Sequence, residues 1–172
     1  MGTGRRTPID LYPASTNAGK WSPELVSWNT TTLCNLRCDH CYLAAGERGR
    51  NELSFEEGCR LIDQLVDAGT RMLILTGGEP LMRPDVARLA AHASSLGLLV
   101  VLGTNGMLLT PSRVRELKAA QVAGVGISLD SLDPEKHDGF RGVPGAWEGA
   151  TRGLRVCVDQ GLPVLLQMTV LP

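Results

Sequence analysis

The chain has 172 residues, a hydrophobic fraction of 43% and a formal net charge of −1. That is long enough for one domain with its own core, and without a basic run it offers nothing to nucleic acid. Five cysteines, three of them crowded together, argue against a secreted disulfide framework and for a reducing, cytoplasmic compartment.

Residues 1–23 read as an extended or poorly ordered leader rich in Gly, Pro, Ser and Thr. It contains Arg5-Arg6, but no apolar stretch follows, so an export signal is not expected. No apolar run in the chain is long enough to span a bilayer. Residues 24–172 are expected to form one domain. Leu25 to Thr30 alternates apolar and polar residues and predicts a strand. Ser54 with Glu57 three residues later predicts a capped helix start, and Gly69 predicts its stop. Arg71 to Leu75 predicts a short buried strand, closed by Gly77-Gly78-Glu79-Pro80. Pro84 to Leu96 reads as a helix and Leu98 to Leu102 as a continuous apolar strand. A turn, Gly103 to Gly106, follows. Thr110-Pro111 opens a third helix, with Thr as N-cap and Pro in the first turn. Val125 to Leu129 is the fourth strand, Gly145 to Gln160 the last helix, and Val164 to Val170 a fifth strand.

Strand and helix thus alternate five times, which predicts parallel β-α units with both faces of the strands covered. A Rossmann half and a β/α barrel both satisfy this. A Rossmann fingerprint would place G-x-G-x-x-G after the first strand, and a P-loop would need G-K-[ST]. The chain has cysteines at the first place and lacks the second motif. Polar and glycine motifs follow strands one to four. In a β/α barrel those loops share the C-terminal rim, where active sites form.

The first of these motifs is Cys34-Asn35-Leu36-Arg37-Cys38-Asp39-His40-Cys41, with the spacing C-x3-C-x2-C. Segments this short turn three thiolates toward one point, and soft thiolates suit an iron–sulfur cluster or zinc. Zinc would take a fourth ligand, from His40 or from Cys59 further along. A c-type haem site needs C-x-x-C-H, but Tyr42 follows Cys41. The second motif is Gly77-Gly78-Glu79-Pro80. Its glycines let a ligand approach the backbone, and Glu79 offers an acceptor for an ammonium. A tight turn ahead of a helix gives the same four residues.

The two motifs, one strand apart, resemble the signature of the radical S-adenosylmethionine (SAM) enzymes. The chain is identified as a member of that superfamily from about Leu25 to Val170. The resemblance implies a partial parallel β/α barrel and a [4Fe–4S] cluster on Cys34, Cys38 and Cys41. The fourth iron would be open to the amino and carboxyl groups of SAM. One electron, from a donor such as flavodoxin or ferredoxin, would then cleave SAM to a 5′-deoxyadenosyl radical. The G-G-E-P loop would hold the methionyl ammonium, and His40 would stand where relatives place an aromatic residue near adenine. Thr104-Asn105-Gly106 resembles the T-N-G turn of one large branch, and Ser128-Leu129-Asp130 its S-L-D segment. Both are expected to face SAM or substrate. Arg141, after Phe140, matches the arginine of F-R-G and would pair with a carboxylate of SAM or of substrate. On the residues alone, T-N-G is equally a plain turn and Arg141 equally a surface ion pair.

Val26-Ser27-Trp28-Asn29-Thr30-Thr31 resembles the haem d1 and alternative-haem branch, which implies modification of tetrapyrrole side chains. A peptide maturase is the alternative substrate class. A zinc- or cluster-binding module without catalysis is the alternative to an enzyme. The family barrel has six strands, and here a sixth is not expected before Pro172. The fifth, apolar and uncharged, would then leave a bare edge prone to association. Cys59, Cys157, His92, His137 and the tryptophans Trp21, Trp28 and Trp147 read as core or boundary residues.

Overall fold

The computed structural model describes residues 22–46 and 52–170. The expected leader, with Trp21, lies outside the described residues except for its last two positions. Five strands form one parallel sheet: β1 Leu25–Asn29, β2 Met72–Thr76, β3 Leu99–Thr104, β4 Gly124–Ser128 and β5 Val164–Gln167. Their order in space, β1-β2-β3-β4-β5, is their order in sequence. The helices are α1 Phe55–Asp67, α2 Val86–Ser95, α3 Pro111–Ala119, α4 Pro134–Arg141 and α5 Ala146–Asp159. Among the described residues no helix is long and apolar enough to cross a membrane.

The helix starts follow from local chemistry. Ser54 and Glu57 close a reciprocal capping box on α1, worth about 1 kcal/mol. Thr110 Oγ1 accepts the Arg113 N–H, with Pro111 in the first turn of α3. α5 is capped by its neighbour: the Asp138 carboxylate of α4 accepts the N–H groups of Gly145 (2.6 Å) and Trp147 (2.7 Å).

Two findings differ from expectation. α4 is a separate helix that the strand–helix alternation concealed. Its signals are local: Asp133 caps it, Pro134 opens it, and Gly142 closes it at φ +70°. The fifth strand ends at Gln167, not Val170. Beyond that point the Thr169 N–H donates to Asp130 Oδ1 (3.0 Å) instead of a neighbouring strand.

Among the described residues, the helices and the core cover one face of the sheet, not both. Leu73 and Leu75, Val100 and Leu102, and Val125 and Ile127 alternate into a core with Ile62, Val86, Leu89, Val114, Leu117 and Ala150. The intervening residues of β2, Met72, Ile74 and Thr76, are only half-buried. This face, at the C-terminal ends of the strands, carries the site. β5 pairs with β4 alone among the described strands, and Leu165, Leu166, Met168 and Val170 are more than half exposed.

Candidate active site

A cavity of about 180 Å³ opens at the C-terminal ends of the strands. Cys34, Cys38 and Cys41 line it from the loop after β1, Gly77 and Gly78 from the loop after β2. Thr104 and Asn105 line it from the end of β3, Ser128 from the end of β4, and Arg141 from α4. His40 lines it as well. Expected loops from four successive strands therefore meet in one place.

The cysteine loop is built by backbone turns. The Cys41 N–H donates to the Cys38 carbonyl (3.1 Å), the Ala44 N–H to that of Cys41 (3.2 Å), and the Gly46 N–H to that of Thr32 (3.0 Å). The three thiols are free and half-buried. Each faces one N–H donor: Leu36 N–H to Cys34 Sγ (3.4 Å), Ala45 N–H to Cys41 Sγ (3.4 Å), and Arg141 Nη1 to Cys38 Sγ (3.8 Å). Burial pushes the Cys34 thiol above its ordinary range, and the Leu36 N–H offsets this only in part. Glu79, Cys38 and Cys41 push it the same way as burial. Such a thiol holds its proton until a cation replaces it.

Among the described residues, no three His, Cys, Asp or Glu side chains crowd round a single point as one bare ion requires. Three free thiols that line one cavity, each with an N–H donor, suit an iron–sulfur cluster. Of the two fourth ligands that zinc would draw on, His40 is engaged by the stacked ring of Phe140 (4.2 Å, 7° between planes), and Cys59 sits on α1 outside the cavity lining.

The glycine loop has a second task. The N–H groups of Gly78 and Glu79 donate to the carbonyls of Thr31 and Leu33, both at 2.8 Å. At this approach a Cβ on Gly77 would run into the Thr31 carbonyl oxygen, and one on Gly78 would lie 2.5 Å from that of Leu33. Gly77 also has φ +142°, a region side chains avoid. The glycines thus let the β2 loop lie against the chain entering the cysteine motif. Gly78→Ala is expected to cost about 1–3 kcal/mol, the usual penalty of forced overpacking. Denaturant unfolding with an unchanged midpoint would contradict this contact.

Glu79 is not the free acceptor expected from the motif. It is fully buried and does not line the cavity. Its oxygens accept the N–H of Leu81 (3.0 Å), the N–H of Asn105 (2.8 Å) and the hydroxyl of Thr104 (2.8 and 2.9 Å). Burial pushes its carboxyl up, against the opposing pull of the Asn105 and Leu81 N–H groups and the Thr104 hydroxyl. It ties the β2 loop to the β3 loop. Pro80 is buried at the start of a 3-10 turn and does not line the cavity either. Asn105 continues the tie: its Nδ2 donates to Asn35 Oδ1 at 2.7 Å, inside the cysteine motif.

Asp130, expected to face SAM or substrate, also falls outside the lining. Its Oδ2 accepts Arg141 Nε (2.6 Å) and its Oδ1 the Thr169 N–H. Burial alone would raise its carboxyl, but the Arg141 bond, the Thr169 N–H and the Arg141 charge hold it below the usual range. His137, expected as a core residue, is buried with its Nδ1 accepting the Asp130 N–H (3.2 Å), so Nδ1 carries no proton. Burial and then the Arg141 charge hold its imidazole below the ordinary value, over the pull of Asp130 and Asp138.

Both groups act in acid. The unfolded chain binds a proton at His137 below about pH 6.5 and the folded chain resists it. Its share of stability is present above that value and lost as pH falls. The share of Asp130 is present above about pH 3.9 and lost below it. The melting temperature is expected to drop between about pH 7 and pH 5, and less so in His137→Gln, which keeps an acceptor. A melting temperature flat over that range in the parent would contradict the burial of a neutral imidazole.

Sequence reasoning missed Gln167, Thr76, Gly103 and Leu36, which also line the cavity. Gln167 had a signal: it is the polar residue of the apolar run Val164–Gln167, and it pairs in register with Ser128. Tyr42 is largely exposed, lines the cavity and donates its hydroxyl to Asn29 Oδ1 (3.1 Å).

A family model described as the radical SAM superfamily matches residues 28–172. An AdoMet-dependent heme synthase of Methanosarcina barkeri is 43% identical over 158 residues, 91% of this chain and 44% of that protein. An Fe-coproporphyrin III synthase of the same organism is 44% identical over 147 residues, 85% of this chain and 37% of that protein. The chain therefore spans less than half the length of these curated relatives. Among solved structures, Streptococcus suis SuiB bound to S-adenosylmethionine superposes with a TM-score of 0.70 at 24% identity, over 86% of this chain and 34% of that one.

Proposed function

The chain belongs to the radical SAM superfamily, and from that premise we propose that it forms the SAM-cleaving core of an enzyme that modifies tetrapyrrole side chains. One observation carries the reading. Three free thiols, bare glycine backbone, the T-N-G turn and Ser128 line one cavity at the strand ends. A [4Fe–4S] cluster held by Cys34, Cys38 and Cys41 supplies, when bound, the electron that cleaves SAM to 5′-deoxyadenosine's 5′ radical.

The chain's own residues prepare that event. Gly77 and Gly78 present backbone to the cavity, which suits the ammonium of SAM. Ser128 and Gln167, opposite each other in register, offer a hydroxyl and an amide to the ribose or adenine. Glu79 and Asn105 hold the glycine loop, the T-N-G turn and the cysteine loop in one geometry. Leu36 and Leu43 line the cavity and keep water from its apolar side. The reductant is expected to be a small one-electron carrier such as flavodoxin or ferredoxin, and the compartment cytoplasmic. The tetrapyrrole reading is supported by the identity to the two Methanosarcina barkeri synthases.

Anaerobic reconstitution with iron and sulfide tests it. The brown protein, reduced with dithionite in the presence of SAM, is expected to release 5′-deoxyadenosine. Added iron-coproporphyrin is expected to change mass. One colourless zinc per chain would overturn the enzyme reading. 5′-Deoxyadenosine coupled only to a peptide substrate would overturn the tetrapyrrole part alone.

A further inference from the structure

The C-terminus of α4 grips the cysteine loop. The Arg37 N–H donates to the Arg141 carbonyl (3.1 Å) and the Asp39 N–H to that of Phe140 (3.4 Å). His40 stacks on Phe140, and Gly142 leaves the room that the Arg37 carbonyl occupies, where any Cβ would collide. The F-R-G tripeptide thus docks Arg37 to His40 through backbone, ring and a missing side chain. The Arg141 guanidinium is then left with a different task.

The Arg141 side chain is 9% exposed, and its guanidinium spans two groups: Nε on Asp130 Oδ2 (2.6 Å) and Nη1 on Cys38 Sγ (3.8 Å). Asp130 is itself pinned by the Thr169 N–H, so the guanidinium is held in place from behind. Leu36 and Ala45 give the other two sulfurs neutral backbone donors. Among the described residues, Cys38 alone of the three has a cationic one. A buried cation donating to a ligand sulfur stabilises the extra negative charge of a reduced cluster, because net charge and hydrogen bonds to sulfur set its potential.

We propose that Arg141, aligned by Asp130, is a positioning residue that raises the reduction potential of the cluster held by Cys34, Cys38 and Cys41. This rests on the radical SAM reading above. The couple takes one electron from an external one-electron donor. No bond forms or breaks at Arg141, and no proton moves.

The test is a mediated redox titration of the reconstituted chain, followed by electron paramagnetic resonance of the reduced cluster. SAM is left out, so a role of Arg141 at a SAM carboxylate does not register. At a fixed solution potential, Arg141→Gln is expected to lower the reduced-to-oxidised ratio about tenfold, which is about 59 mV for one electron. Arg141→Lys, which keeps the charge without the fixed N–H, is expected to shift less. Phe140→Leu removes the stack but keeps the guanidinium, and its midpoint is expected to match the parent. Equal midpoints for the parent and both Arg141 variants would overturn the proposal. So would a Phe140→Leu shift as large as that of Arg141→Gln, since loop docking would then set the potential. Loss of the cluster in both Arg141 variants would make Arg141 a docking residue and also overturn it. A parent that takes up no cluster would instead bring down the functional reading beneath it.

Discussion

Replacing any one of Cys34, Cys38 and Cys41 with Ala is expected to abolish the brown, iron-loaded form and all release of 5′-deoxyadenosine. The three thiols line one cavity, and each meets its own N–H donor. Neither remaining cysteine can stand in. Cys59 lies on α1, and Cys157 is buried in the core, where burial pushes its thiol up to about 11. Two thiolates leave two irons of a cubane without protein ligands, and the cluster falls apart rather than binding weakly. Iron and sulfide analysis after anaerobic reconstitution reads this directly. A triple Ala variant that still bound four irons would remove the cysteine loop from the chemistry altogether.

Glu79→Ala is expected to destabilise the fold by about 3–5 kcal/mol, since it strands three buried neutral donors at once, each costing about 1–3 kcal/mol when left unpaired. The Leu81 and Asn105 N–H groups and the Thr104 hydroxyl would lose their acceptor in a site closed to water. Glu79→Gln keeps the shape but turns one acceptor into a donor, and is expected to cost about 1–3 kcal/mol. SAM binding should fall in both variants as the glycine loop and the T-N-G turn lose their common anchor. Urea unfolding of the apo-chain, set beside SAM binding by the loaded chain, separates anchor from ligand. Glu79→Ala with parental stability and weakened SAM binding would restore Glu79 as a direct ligand of the ammonium.

The elements were legible where a local signal stood alone. Ser54 with Glu57, Thr110 with Pro111, and the apolar runs of β2 and β3 carry their own starts and stops, and they stand in the fold within a residue or two. α4 was hidden because Phe140 and Arg141 had been assigned to a motif, though Asp133-Pro134 and Gly142 mark a helix. Gly77, Gly78, Thr104, Asn105 and Ser128 were legible as lining because each ends or follows a strand, and the cysteines and Arg141 because each matched a motif. What spacing could not reveal was where a carboxylate points. Glu79 and Asp130 read as ligand acceptors, yet each finds protein donors 25 and 11 residues away. Gln167 was missed for the opposite reason, as one polar residue in a strand judged by its apolar neighbours.

The sheet order has a consequence for synthesis. Each strand pairs with its neighbours in sequence, so on the ribosome the sheet can extend strand by strand without waiting for a late insertion. The cysteine loop cannot mature on that schedule. Its supports arrive from downstream: Glu79, through the Thr104 and Asn105 it holds, then Asn105 itself, and last Arg141, 103 residues after Cys38. At translation rates of about 5–20 residues per second this gap lasts roughly 5–20 s. During it, three thiols are held by little but their own turns, open to oxygen and to stray metal ions. Cluster delivery during expression is therefore best timed after translation, and an oxidised or zinc-filled loop is the expected product of making the chain in air.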